Sequence, residues 1–176
     1  MIKNLFVLFI VNFLIFSCDS KEDITSFKIK NPYKNKALKI DENVSVSIFP
    51  GEAGGIEQNV NRWRRQLNLQ PVSFASMNKE KKQNPFLGEY YIFLEQNITI
   101  DKAIIAAIIP QDDQTIFIKM NTSADLAYER KYELSLFSQS LYFDENKKIN
   151  FNAPSNWVEK KPINMSTVYF ELNDEN

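Results

Sequence analysis

The chain has 176 residues, 44 % of them apolar and 13 % aromatic, and carries a formal net charge of −1. That is enough apolar material for one domain with its own core, whereas the near-neutral charge excludes the broad basic face on which nucleic-acid binding rests. With no histidine and a single cysteine, at Cys18, Ser-His-Asp and Cys-His catalysis and any intrachain disulfide are excluded as well.

Met1 to Ser17 reads as an export signal. One lysine, Lys3, precedes an apolar run from Leu5 to Phe16 that is shorter than the roughly 20 residues a bilayer-spanning helix needs. Leu14-Ile15-Phe16-Ser17 before Cys18 resembles the lipobox of bacterial lipoproteins, in which a small residue precedes a cysteine that is acylated; Ser17 fits the pattern and the bulky Phe16 departs from it. The resemblance implies a lipid anchor, palmitate among its acyl chains, on Cys18, and places the protein in the envelope of a Gram-negative bacterium, on the periplasmic face or the cell surface. Residues 18–26, polar and poor in apolar side chains, suit a solvated tether. Lys21-Glu22-Asp23 resembles a surface-export signal, while Asp19 resembles an inner-membrane retention signal, and both destinations stay open. Residues 27–176 are expected to form a single domain.

In chain order, Ile24 to Ile29 reads as an edge strand and the lysine-rich stretch Lys28 to Lys39 as a solvated face. Val44 to Phe49 alternates apolar and polar residues, the period of a half-buried strand. From Ile56 the period changes: Ile56, Val60, Trp63 and Leu67 fall on one face of a helix that starts at the double glycine Gly54-Gly55. Val72 to Phe86, polar and without period, reads as a loop with at most a helical turn. Three strand-like runs follow, Glu89–Glu95, Ala103–Ile109 and Thr115–Met120. The middle one is continuously apolar and calls for cover on both faces. Thr122 and Asp125 have capping-box spacing ahead of a second, amphipathic helix with a stripe of Leu126, Leu134, Phe137 and Leu141 reaching about Tyr142. Ile149 to Trp157 and Met165 to Leu172 read as two final strands. The order predicts an α+β fold, a sheet with a helix on each face.

Pro50 to Gln66 concentrates scarce residue types: three of the four glycines, three of the four arginines and one of the two tryptophans. Gly51, Gly54 and Gly55 let the chain leave a strand with positive φ. A glycine-rich turn entering a helix also makes an anion site, yet no Gly-Lys-Ser/Thr is present and Glu52 stands where a phosphate would sit. Asn59, Arg62 and Gln66 share a polar helical stripe. Two roles follow for Asn59, Arg62 and Trp63: Arg62 locks the turn on backbone carbonyls or Glu52 with Trp63 in the core, or the three line a groove that clamps a carboxylate or a partner's backbone. Arg64 and Arg65 are expected in solvent or at a rim, and Glu89 and Glu95 at exposed strand ends. No carboxylate stands in an apolar setting that would raise its pKa. Asp112-Asp113 and Asp174-Glu175 are isolated pairs without metal-ligand spacing, so neither metal nor cofactor is expected. The partners expected are the membrane and an unknown protein or small molecule; the rival to an accessory or binding module is an anionic small-ligand binder or an enzyme with its groove beside Asn59, Arg62 and Trp63.

The motif Gly-Glu-Ala-Gly-Gly followed by Asn-Val-Asn-Arg-Trp-Arg-Arg-Gln within Pro50–Leu69 resembles that of a family of exported bacterial proteins whose fold is similar to PsbP, the oxygen-evolving-enhancer protein of photosystem II. Thr115–Lys119 and the helix ending at Phe137–Phe143 resemble the last strand and C-terminal helix of that family; Ala153–Glu159 and Met165–Phe170 resemble its opening hairpin. The resemblance implies an antiparallel sheet sandwiched between helices and a non-enzymatic, accessory role, with no catalytic residues to carry over. Here the hairpin stands at the C-terminal end, so the arrangement expected is permuted, with Ser166–Leu172 beside Val44–Phe49; the alternative is that it begins a second domain cut short, with an exposed apolar edge.

Overall fold

The structure, a computed structural model, describes residues 42–173. The export signal, Cys18, the tether, the strand expected at 24–29, the lysine-rich stretch and the tail pair Asp174-Glu175 lie outside the described residues. In chain order the elements are β1 (Asn43–Pro50), α1 (Ile56–Gln66), β2 (Lys79–Asn84), β3 (Gly88–Asn97), β4 (Lys102–Pro110), β5 (Gln114–Thr122), α2 (Ala127–Ser140), β6 (Tyr142–Phe143), β7 (Ile149–Asn150), β8 (Trp157–Lys160) and β9 (Val168–Leu172). Seven strands form one sheet in the order β2-β3-β4-β5-β1-β9-β8, and β6 and β7 form a separate ribbon. All pairings are antiparallel. The fold is α+β, with a helix on each face of an antiparallel sheet.

Period-2 geometry decides which side each strand residue serves. On β4, Ala103, Ile105, Ala107 and Ile109 join Leu134 and Phe137 of α2 in one core. Ile104, Ala106 and Ile108 join Val60, Trp63 and Leu67 of α1 in the other. The unbroken apolar run is therefore covered twice. On β1, Val44 and Val46 are fully buried on the α2 side, while Ser45 and Ser47 look the other way. β9 pairs with β1, Val44 opposite Phe170 and Ser45 opposite Tyr169. Phe170 and Trp157 then close an aromatic cluster with Phe137, at centroid distances of 5.7 and 4.9 Å.

Four local expectations are corrected. Residues 72–86 are not a loop: after a short 3-10 turn at Phe74–Ser76, Lys79–Asn84 is the edge strand β2. Its period is hidden because a charged edge has one solvated row and a second that sits only half under α2 and the turn. The capping box does not form. Thr122 still belongs to β5 and gives its hydroxyl to Glu42, Asp125 takes the hydroxyl of Ser123, and α2 starts after Leu126 with no side-chain cap. It ends at Ser140, before Tyr142. Nor is α2 cleanly amphipathic: it buries Arg130 and Ser138 while Tyr128, Tyr132 and Leu136 lie exposed. Finally, Ile149–Trp157 is two short strands, β7 paired with β6 and β8 paired with β9, separated by residues 151–156.

Two buried polar groups hold these pieces together. Asn84 donates to the carbonyls of Ser138 (2.7 Å) and Leu141 (3.0 Å) at the end of α2, and accepts from the N–H groups of Phe86 and Leu87. Arg130 joins Glu42 (2.7 Å) to Glu133 (2.9 Å), and Glu133 accepts the indole N–H of Trp157. The start of β1, the helix α2 and the strand β8 are thereby pinned to one another.

Candidate functional site

The glycine turn sets where α1 lies. Gly51, Ala53, Gly54 and Gly55 all have positive φ, 57°, 48°, 86° and 78°, so the chain reverses tightly between β1 and α1. Gly51 is fastened to the sheet twice: its N–H donates to Asp113 O at 2.8 Å, and its carbonyl accepts the Thr115 hydroxyl at 2.6 Å. Asn59, 5 % exposed, closes the turn from the helix by donating to Ala53 O (2.9 Å) and Gly55 O (2.8 Å). Its remaining oxygen accepts from Arg62 Nη2 at 2.7 Å. The turn lock is thus Asn59, and Arg62 is oriented by Asn59 rather than by a backbone carbonyl or Glu52.

Trp63 is 4 % exposed and meets Phe117 edge-on at 6.2 Å between centroids. With the indole pointing into the sheet, Arg62 and Gln66 come to lie along the flank of α1 that faces β1 and β5. Gln66 Oε1 accepts from Lys119 Nζ at 2.8 Å. Lys119 sits on β5 opposite Ser45 of β1, and Ser45 is opposite Tyr169 of β9. Between α1 and the β8–β9 connection these residues bound a groove of about 370 Å³. Serine and carboxamide side chains line it together with Phe49, Phe117 and Tyr169; Arg62 of α1 and Lys119 of β5 stand on one side, and the exposed Ile163 and Met165 come from the β8–β9 connection. No aspartate or glutamate lines it. Among the described residues, neither Arg62 nor Lys119 has a salt-bridge partner. Burial, with Arg62 nearby, lowers the Lys119 ammonium pKa to about 8, the behaviour of a cation short of solvent and of counter-charge.

A second depression, also about 370 Å³, lies at the other end of α1, between Ile56, Phe74, Ile108 and Pro110. Its polar rim is Glu52 and Glu57, and Glu57 accepts the Phe74 N–H at 2.9 Å. Two carboxylates at the positive end of the helix already complement its dipole, so an anion is disfavoured there.

No protein-family profile, curated protein or solved structure matches this chain. The function is therefore argued from the groove itself.

Of the residues singled out by sequence, Arg62 and Trp63 line the groove; Gly51, Gly54 and Asn59 belong to the turn, and Gly55 borders the second depression. Two expectations are overturned. Arg64 is not a rim contact but an ion-pair partner of Glu95, and Glu95 is not at an exposed strand end but 5 % exposed. Burial raises the Glu95 carboxyl pKa, against the pull of Arg64. Lys119, Ser45 and Ser47 were missed as site residues. The signal was present: in Thr115-Ile-Phe-Ile-Lys119 the lysine shares the face of Thr115 and Phe117, a charge on the row that packs under a helix. Among the described residues no group of three acidic, histidine or cysteine side chains gathers as a metal site, and no helix is long and apolar enough to cross a membrane.

Proposed function

We propose that this protein is a non-enzymatic binding module of the Gram-negative cell envelope, tethered to a membrane through a lipid on Cys18, and that the groove beside Arg62, Trp63 and Lys119 receives an anionic ligand. The observation that carries the binding reading is two cations facing one groove that no carboxylate lines. A protein folded for stability alone gains from pairing or removing such charges. Holding both beside a hollow large enough for a small molecule costs folding energy that a ligand recovers.

The sandwich is further proposed to be of the PsbP-like kind, with the hairpin that opens that fold carried at the C-terminal end as β8 and β9. The placement of β9 beside β1 supports this reading.

Each half has its own test. Growth with an alkyne analogue of palmitate should label the full chain and leave Cys18→Ala unlabelled; label persisting in the variant overturns the anchor. For the groove, a panel of anionic and neutral small molecules should shift the melting temperature of the full chain. The folded Arg62→Ala variant should lose that shift, and a shift unchanged by the substitution overturns it.

A further inference from the structure

Resting on the reading of the groove as an anion site, the geometry points to an acidic saccharide, a hydroxyl-rich ligand that carries a carboxylate, as the class of molecule it takes. Three features lead there. First, the hollow is far larger than a lone phosphate or carboxylate requires and falls within the ≈300–1,000 Å³ range of organic ligand sites. Second, Arg62 of α1 and Lys119 of β5 stand together where that helix meets the sheet, so negative charge is needed on that side only. Arg62 has one Nη committed to Asn59 and keeps the rest of its planar fork for a carboxylate.

Third, beside the cations the groove offers groups that both donate and accept, set among aromatic side chains. Ser45 and Ser47 project from β1, Asn121 from β5 and Gln66 from α1. A small anion such as phosphate uses the cations but is too short to reach the serine and carboxamide acceptors further along the groove, and leaves them to water. A ring bearing hydroxyls satisfies both kinds, while its C–H faces rest on Phe49 and on Ile163 and Met165. A lipid tail is a poor match: methylenes would fit the aromatic part of the lining but leave both cations and the serine and carboxamide groups without partners. An acidic peptide would bring backbone N–H groups to this groove and place charge at every residue, although the cations are confined to one side.

The test is calorimetric titration of the full chain in mild detergent with a galacturonic acid trimer, against a neutral galactose trimer, a glutamate trimer and inorganic phosphate. The uronic trimer should bind saturably, at least tenfold tighter than each of the other three. Lys119→Gln and Arg62→Gln, each checked for an unchanged fold, should weaken it at least tenfold. Ser47→Trp should block it by filling the groove while leaving both cations in place. Absence of saturable uronide binding, or binding indifferent to all three substitutions, overturns the proposal. Should phosphate or the glutamate trimer bind as tightly through Arg62 and Lys119, the saccharide class falls and the anion groove stands. Should no anion depend on those two residues, both fall together.

Discussion

Lys119 is where the demands of folding and of binding part company. Among the described residues its ammonium has a single neutral partner, the Gln66 carbonyl oxygen, and a second cation close by, Arg62. A methionine of similar shape would avoid that desolvation. Lys119→Met is expected to stabilise the protein at pH 7 by about 1–2 kcal/mol, after discounting for solvent at a partly exposed site, and to abolish ligand binding. The pH dependence has a definite sign. Because the folded-state pKa of about 8 lies below the ordinary 10.5, the folded protein binds fewer protons across that window. The wild type therefore gains stability relative to the variant as pH rises from 8 to 10.5, and urea unfolding of both at several pH values checks it. Asn84 works in the opposite direction. Asn84→Ala strips the partners from two carbonyls and two N–H groups in one step, and a loss of about 3 kcal/mol is expected, read from the shift of the urea midpoint. Of the two, Lys119 carried a sequence signal, a charge on the row that packs under α1, whereas Asn84 carried none. An asparagine in a lysine-rich run looks like any surface asparagine, and only the end of α2 arriving beside it makes its carboxamide matter.

At the scale of elements, what could be read depended on how completely neighbours enforce a pattern. β4 was plain because both its faces are covered, and β1 because one face is apolar core and the other polar groove. β2 stayed hidden because an edge strand under partial cover has no apolar row to betray it. The capping box misled because spacing says nothing about whether Thr122 has yet left the sheet. The glycine turn was legible since one of its positions is open to glycine alone and its neighbours need positive φ. Gly55 sits at φ 78°, ψ 162°, a region essentially closed to side chains, whereas Gly51 at φ 57° is in the left-handed region that asparagine enters. Gly55→Ala should therefore cost about 1–3 kcal/mol, and Gly51→Asn much less. Paired thermal melts would show the ordering, and equal losses at both positions would count against this account of the turn.

Across the whole molecule, the sheet is completed by strands that come late in the chain. Residues 168–170 of β9 face residues 44–46 of β1 while their other edge carries β8, so their amides should exchange with solvent as slowly as those of β5. Hydrogen exchange on the intact chain reads this directly, and rates near those of an unfolded peptide at Thr167–Phe170 would contradict the pairing. The α+β class with a helix on each face followed from the order of periodic segments. Of the groove only the side made by Arg62 and Trp63 did, since the rest exists only where α1, β5, β1 and the β8–β9 connection converge from distant stretches of chain. That same separation bears on how the protein is made. Ser45 meets Lys119, 74 residues further on, and Tyr169 later still. In a chain that emerges amino end first, β1 thus waits with both its edges bare until most of the polypeptide has appeared. Until those late strands arrive, that first strand offers two open edges to any neighbouring strand.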